Sequence, residues 1–135
     1  MNNSITFKRT CHLIHTDLLS YEHHTGFFGG LVRLFSSFSF RITFWYRIGH
    51  YLVNSESRFK RMVFLPLVSL IHKHNAYLTG IQFPFEVICD EDLQFQHFGT
   101  IVVNPSTVIG SHCRIWQCVT IGSTRGETHG GGKSW

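Results

Sequence analysis

Residues 93–122 read LQFQHFGTIVVNPSTVIGSHCRIWQCVTIG, and within them Val103, Ile109, Ile115 and Ile121 fall six apart without a slip. Four positions after the first three come Thr107, Cys113 and Val119, all small or β-branched, while Asn104, Gly110 and Gly122 follow an aliphatic position. Helices repeat every ~3.6 residues and lone strands every ~2, so this beat belongs to neither. It suits a parallel β-helix, in which each unit is a short strand plus a corner and identical positions stack into one inward core. Two or three ordinary strands in step would give the same spacing, so the beat alone leaves both architectures open. Upstream, Ile81, Val87 and Leu93 are again six apart, but Val103 stands ten beyond Leu93, a slip of four across residues 94–102. The slip contains His97. A loop let into a rigid repeat is a common place for a site, although a lone histidine among aromatics is also an ordinary packing residue.

Beyond Gly122 the beat stops, and the segment to Trp135 holds Gly126, Gly130, Gly131, Gly132 and Lys133 with no periodic apolar residue. A β-helix halted after about three coils presents an edge of unpaired N–H and C=O groups. The pattern therefore predicts either further coils after Trp135 or a naturally shortened product. The Gly130-Gly131-Gly132-Lys133 run lacks the strand and helix that a phosphate-binding loop requires.

Working toward the N-terminus, the character changes at Tyr77-Leu78-Thr79-Gly80 from strand to helix. Three regions result: residues 1–78 helical, 79–124 hexapeptide β-helix, and 125–135 a Gly-rich loop. Phe40, Phe44, Ile48 and Leu52 recur every four, predicting an amphipathic helix over about 39–53 with Arg41 and Arg47 standing off its apolar stripe. A second helix is expected over about 57–75, opening on Arg58, Lys60 and Arg61 and kinked or restarted at Pro66. Its body is apolar nearly all round, which calls for burial against the previous helix, a partner subunit or a lipid surface. His72 and His74 are two apart and lack a carboxylate or cysteine in register, so they read as helix-end histidines near the negative dipole end rather than metal ligands. Residues 1–14 read as an extended arm, Thr16-Asp17 as the cap of a short helix to about His24, and Gly26, Gly29 and Gly30 as punctuation.

The chain has 135 residues, 43% hydrophobic and 15% aromatic, enough for one domain with at most a small appendage and too apolar for disorder. Its net charge of +4 is unevenly spread: residues 1–79 carry 9 Lys and Arg against 3 Asp and Glu, and residues 80–135 carry 3 against 5. A basic, aromatic first half suits a solvated face or an anionic membrane surface, and no nucleic-acid partner is expected. Cys11, Cys89, Cys113 and Cys118 match no zinc spacing and read as reduced thiols. The first residues, MNNSITFKRTCH, contain no apolar segment of signal-peptide length, and the longest apolar run, Met62 to Ile71, is about half of the ~20 residues that span a membrane.

GIQFP at Gly80–Pro84, FQHFGTIVVNPSTVIG at Phe95–Gly110 and IWQCVTIGS at Ile115–Ser123 together resemble the left-handed β-helix hexapeptide acyltransferases. The resemblance is to the serine acetyltransferase branch and its polysaccharide O-acetyltransferase cousins. FRITFWYRIGHYL at Phe40–Leu52 is similar to the helical preamble of the sugar-modifying members. The resemblance implies a mixed fold, helices and then a left-handed parallel β-helix of about three coils. It also implies a homotrimer, acetyl-CoA as co-substrate bound between subunits, and no metal.

His97 then takes the place of the catalytic base, an imidazole of ordinary pKa about 6.5 that removes the acceptor hydroxyl proton. In the serine enzymes an acid fifteen residues before the histidine orients it and an Asp immediately precedes it; here those positions are Gln82 and Gln96. An amide orients an imidazole but does not stabilise its cation, so charge support would come from Glu86, Asp90, Glu91 or Asp92. Gln96 and Phe98 fall where the acceptor binds, and Gly122 and Ser123 where the cofactor binds. Cys118 stands where relatives usually have glycine.

The activity implied is transfer of acetyl to a sugar or polysaccharide-precursor hydroxyl, in the cytoplasm or at the inner membrane face. The alternatives are a serine O-acetyltransferase of cysteine synthesis and a non-catalytic trimerisation or membrane-docking module.

Overall fold

The structure, a computed structural model, describes residues 6–19, 27–97 and 99–122. Four helices come first: α1 (Phe7–Leu19), α2 (Phe27–Ser36), α3 (Phe38–Val53) and α4 (Arg58–Thr79). Seven short strands follow: β1 (Ile81–Gln82), β2 (Ile88–Cys89), β3 (Leu93–Phe95), β4 (Ile101–Val103), β5 (Val108–Ile109), β6 (Cys113–Ile115) and β7 (Thr120–Ile121). Every pairing is parallel, β1 to β4 to β7, β2 to β5 and β3 to β6. Consecutive strands thus lie in three different sheets, as in a parallel β-helix, with two complete coils and the first strand of a third among the described residues.

The register corrects the size of the slip. Ile81 pairs with Ile101, twenty residues on, whereas Val103 pairs with Ile121, eighteen on. Three units of six make eighteen, so the first coil carries two extra residues, not four. Each unit buries two rows of side chains, and both rows accept aliphatics. Leu93 belongs with Ile81, Val87 and Ile101, while Val103 belongs with Phe83, Cys89 and Phe95; all eight are buried. Reading Leu93 against Val103 crosses from one row to the other.

Local signals set the helix ends. The Ser37 and Ser57 side chains cap α3 and α4 by accepting the N–H groups of Phe40 and Lys60, and Gly80, at φ 74°, ends α4 in the left-handed conformation that favours glycine. α4 runs through Pro66 to Thr79, past the expected end at 75. The expected N-terminal arm is helical from Phe7, because the Thr6 hydroxyl accepts the Arg9 N–H at 3.2 Å. Thr16 is no cap: its hydroxyl donates back to the Leu13 carbonyl inside α1. Gly29 and Gly30 lie within α2 rather than ending it, since apolar residues at 28, 31, 32 and 35 keep helical spacing through the pair.

The helices do more than precede the coil; they close its first edge. A first coil has no strand before it, so its outward backbone groups need other partners. Tyr46 Oη donates to the Val87 carbonyl. His50 Nδ1 donates to the Phe85 carbonyl at 2.6 Å and His72 Nε2 to the Phe83 carbonyl at 2.7 Å. Arg47, 1% exposed and so not standing off the helix as expected, donates to the Cys89 and Asp90 carbonyls, both at 2.7 Å. Two edge N–H groups donate to side chains of the helices, Leu93 to Asp17 Oδ1 at 2.8 Å and Phe95 to Ser39 Oγ at 3.0 Å. His72 is therefore an edge cap facing the coil, not a histidine drawn to the helix dipole.

Asp17, far from opening a helix, sits buried in the last turns of α1 and takes Arg47 Nε and Nη2 at 2.8 and 3.1 Å. Burial pushes the Asp17 carboxyl above its ordinary range, against the pull of Arg47. Burial also opposes the Arg47 cation, but Asp17 outweighs it and holds the guanidinium charged. The packing on this junction is close. A Cβ on Gly49 would lie 2.2 Å from the Phe85 ring, so only glycine lets that ring reach α3. Phe83 meets Tyr46 and Phe95 edge-on at 4.6 and 5.4 Å, carrying the helical core into the coil interior.

Candidate active site

The two extra residues of the first coil emerge between β3 and β4, and His97 stands there with its side chain exposed. Two hydrogen bonds and two close approaches fix the loop. Gly99 N–H donates to the Thr79 carbonyl and Ile101 N–H to the Gly80 carbonyl, both at 3.0 Å, which seats the loop on the end of α4. Gly99 has φ 147°, and a Cβ there would come within 3.1 Å of Gln117 on the next coil and 3.3 Å is the gap between a Gly80 Cβ and Gly99 itself. The loop is thus held between the α4–β1 junction and the β6–β7 corner, with glycines at both close approaches in positive-φ conformations that side chains rarely adopt.

The same corner presents Trp116. Its ring centroid lies 5.6 Å from that of His97 at an interplanar angle of 46°, and 54% of the residue is exposed. No role follows for Trp116 from the motif alone; the coil register, which sets Phe95 against Ile115, brings the residue after Ile115 to the level of the His97 loop. A half-exposed indole beside an exposed imidazole makes one wall of an open site.

Gln82 lies exposed on β1, in register with Val102, and makes no hydrogen bond to His97. It lines a groove of about 460 Å3 between α4 and the first coil, together with Lys73, Tyr77, Phe83, Phe85 and Glu86. Gln96 is half-buried, and its Nε2 donates to Gln94 Oε1 at 3.0 Å along the strand. Three of the four candidate acids are engaged elsewhere. Asp90 pairs with Arg9, Glu91 with His12, and Asp92 with His112 and Arg114. Glu86 alone shares the groove with Gln82. Gly122 is exposed at the end of β7; the readings of Phe98 and Ser123 lie outside the described residues. All four cysteines are free thiols, and burial pushes Cys89 up to about 12. Among the described residues no group of His, Cys, Asp and Glu is placed to hold a metal ion.

No protein-family model matches the chain, and no curated protein sequence matches it. Solved structures do. The soybean serine acetyltransferase apoenzyme superposes with a TM-score of 0.62 at 21% identity, over 86% of this chain and 45% of that one. Serine acetyltransferase 1 from Entamoeba histolytica gives 0.62 at 20% identity, over 90% of this chain and 44% of that one. The soybean enzyme complexed with serine gives 0.61 at 20% identity, over 86% and 45%. The chain shares the helix-then-β-helix fold of these proteins and spans less than half of their length.

Proposed function

We propose that the chain belongs to an acetyl-CoA-dependent O-acetyltransferase in which His97 is the general base. The observation that carries this reading is the clamped two-residue insertion: it presents an exposed imidazole at one corner of a fold shared with solved serine acetyltransferases. His97 takes the proton of an acceptor hydroxyl as its oxygen attacks the thioester carbonyl, forming the new C–O bond. When the tetrahedral intermediate collapses, the C–S bond breaks and the imidazolium returns the proton to the departing CoA thiolate. In this proposal Gln82 and Glu86 face the acceptor from the α4 groove, Gln96 and Phe98, the sequence neighbours of the base, are assigned to acceptor binding, and Gly122 and Ser123 to cofactor binding. A homotrimer would supply the second wall of the cleft. Acetyl-CoA as donor implies a cytoplasmic setting.

Two acceptors have support. A sugar or polysaccharide-precursor hydroxyl fits neutral Gln96 next to the base, which offers no negative charge to an amino acid's ammonium, the carboxylate of Glu86 lying in the groove with Gln82 instead. Serine is supported by the structural neighbours, one of which is a complex with serine.

Thiol release from acetyl-CoA, measured with a panel of sugars and with serine, tests the reading. His97→Ala is expected to lose a factor of about 10²–10⁴ in turnover, the usual contribution of a general base. Unchanged turnover removes His97 from the mechanism, and the preferred acceptor decides between the two substrate classes.

A further inference from the structure

α4 is buried on one side only, through Val68, His72 and Asn75. The opposite side carries Phe59, Met62, Leu70 and Tyr77, which are 71, 77, 68 and 87% exposed, with Val63 and Pro66 between them at helical spacing. Patches of large apolar side chains this exposed mark interaction surfaces. The charges carried by the helix itself have one sign, the nearest carboxylates being Glu56 before its cap and Glu86 across the groove from Lys73. Arg58, Lys60 and Arg61 occupy the first turn and Lys73 lies within the stripe, while the 22-residue helix contains no Asp or Glu. α2 and α3 contain none either. No carboxylate among the described residues pairs with any of the four cations of α4; Lys60 instead donates to the Tyr51 hydroxyl at 3.1 Å. Three cations at the positive end of a helix also oppose its dipole, an arrangement relieved by an external anion.

We propose that this face of α4 docks on an anionic lipid surface. Apolar tips with cations at their level are what an interfacial helix needs, and a bilayer demands no matching contour. Phe59 and Tyr77, near the two ends of the helix, carry aromatic rings suited to the headgroup level. A second copy of the chain is the poorer occupant, since it would bring the same cations face to face. The helix lies on the surface rather than through it, because no helix among the described residues is long and apolar enough to cross a membrane.

Flotation of the chain with vesicles of phosphatidylcholine plus phosphatidylglycerol, and with phosphatidylcholine alone, tests the proposal. Binding is expected to the first and not to the second, and to weaken at high salt. Replacing Arg58, Lys60 and Arg61 together by serine is expected to weaken partitioning about a hundredfold, from roughly a factor of five per cation near the surface. Phe59→Ser with Leu70→Ser is expected to reduce flotation at unchanged charge. Both sets of residues are exposed, so helix content should stay constant. A chain that does not float on the anionic vesicles, floats equally on neutral ones, or keeps its binding in the serine variants overturns the proposal. So does a self-association abolished by Leu70→Ser in a chain that binds no vesicle, which would assign the face to a second copy.

Discussion

At the scale of single residues, the coil corners are where side-chain identity and backbone geometry conflict. Asp92, His112 and Cys118 adopt φ of 61°, 58° and 61°, a region that crowds the Cβ of an L residue. Asp92 and His112 have compensation, because their side chains meet at 2.7 Å across adjacent coils. Cys118 is exposed and has no such partner among the described residues, in the position where the resemblance leads one to expect glycine. Cys118→Gly is therefore expected to stabilise the chain by about 1 kcal/mol, the strain of one left-handed residue less glycine's extra unfolded-state freedom. Urea unfolding reads this as a higher midpoint at unchanged slope; a lower midpoint would show that Cys118 contributes packing that its exposure conceals. His97 was legible at this scale because its loop breaks a regular beat. Trp116 was not, since a tryptophan inside an apolar repeat reads as core until the coil register brings it beside the histidine.

At the scale of elements, the Asp17–Arg47 pair ties α1 to α3 and both to the open edge of the first coil. Removing one charge by Asp17→Asn leaves a buried guanidinium without its carboxylate, at an expected cost of about 3–5 kcal/mol. An isolated buried ion pair replaced whole by apolar residues is often neutral. Here Asp17→Leu with Arg47→Met would also orphan the Cys89 carbonyl and the Leu93 N–H, each at about 1–3 kcal/mol, and leave the Asp90 carbonyl only the weak Cys89 thiol donor. The double variant is therefore expected to be no more stable than the single one in denaturant titration. A double variant restored to the parent stability would reduce Arg47 to a mere partner of Asp17. The six-residue beat was legible because every coil repeats the same inward rows. The edge capping was hidden, because an arginine standing off an apolar stripe reads as surface unless the unpaired edge it serves is already known. α1 escaped for a similar reason: its buried Leu13 and Leu18 are too few to declare a stripe, and its cap, Thr6, lies before them.

At the scale of the whole molecule, two buried histidines latch the helical half to the β-helix. His50 and His72, 7% and 8% exposed, each give one ring N–H to a first-coil carbonyl. Burial lowers both below the ordinary 6.5, only partly opposed by the carbonyls they bind. The sign of the effect follows from where protons bind. As pH falls through 6.5 the unfolded chain takes up a proton on each histidine while the folded chain does not, so acid favours unfolding. The stability due to neutral His50 and His72 is thus fully present above 6.5 and is lost below it, by up to about 1.4 kcal/mol per pH unit for each group until its folded value is reached. Asp17 acts in the opposite sense, since its raised carboxyl is favoured by protonation, so the histidine share must be isolated by substitution. His50→Asn and His72→Gln place an amide N–H near the original donors without a titrating group. The expected result is a melting temperature that falls as the pH drops below about 6.5 in the parent and a distinctly flatter profile in the double variant. Parallel profiles would mean that the junction opens before either histidine titrates, so that the two halves unlatch independently of these bonds.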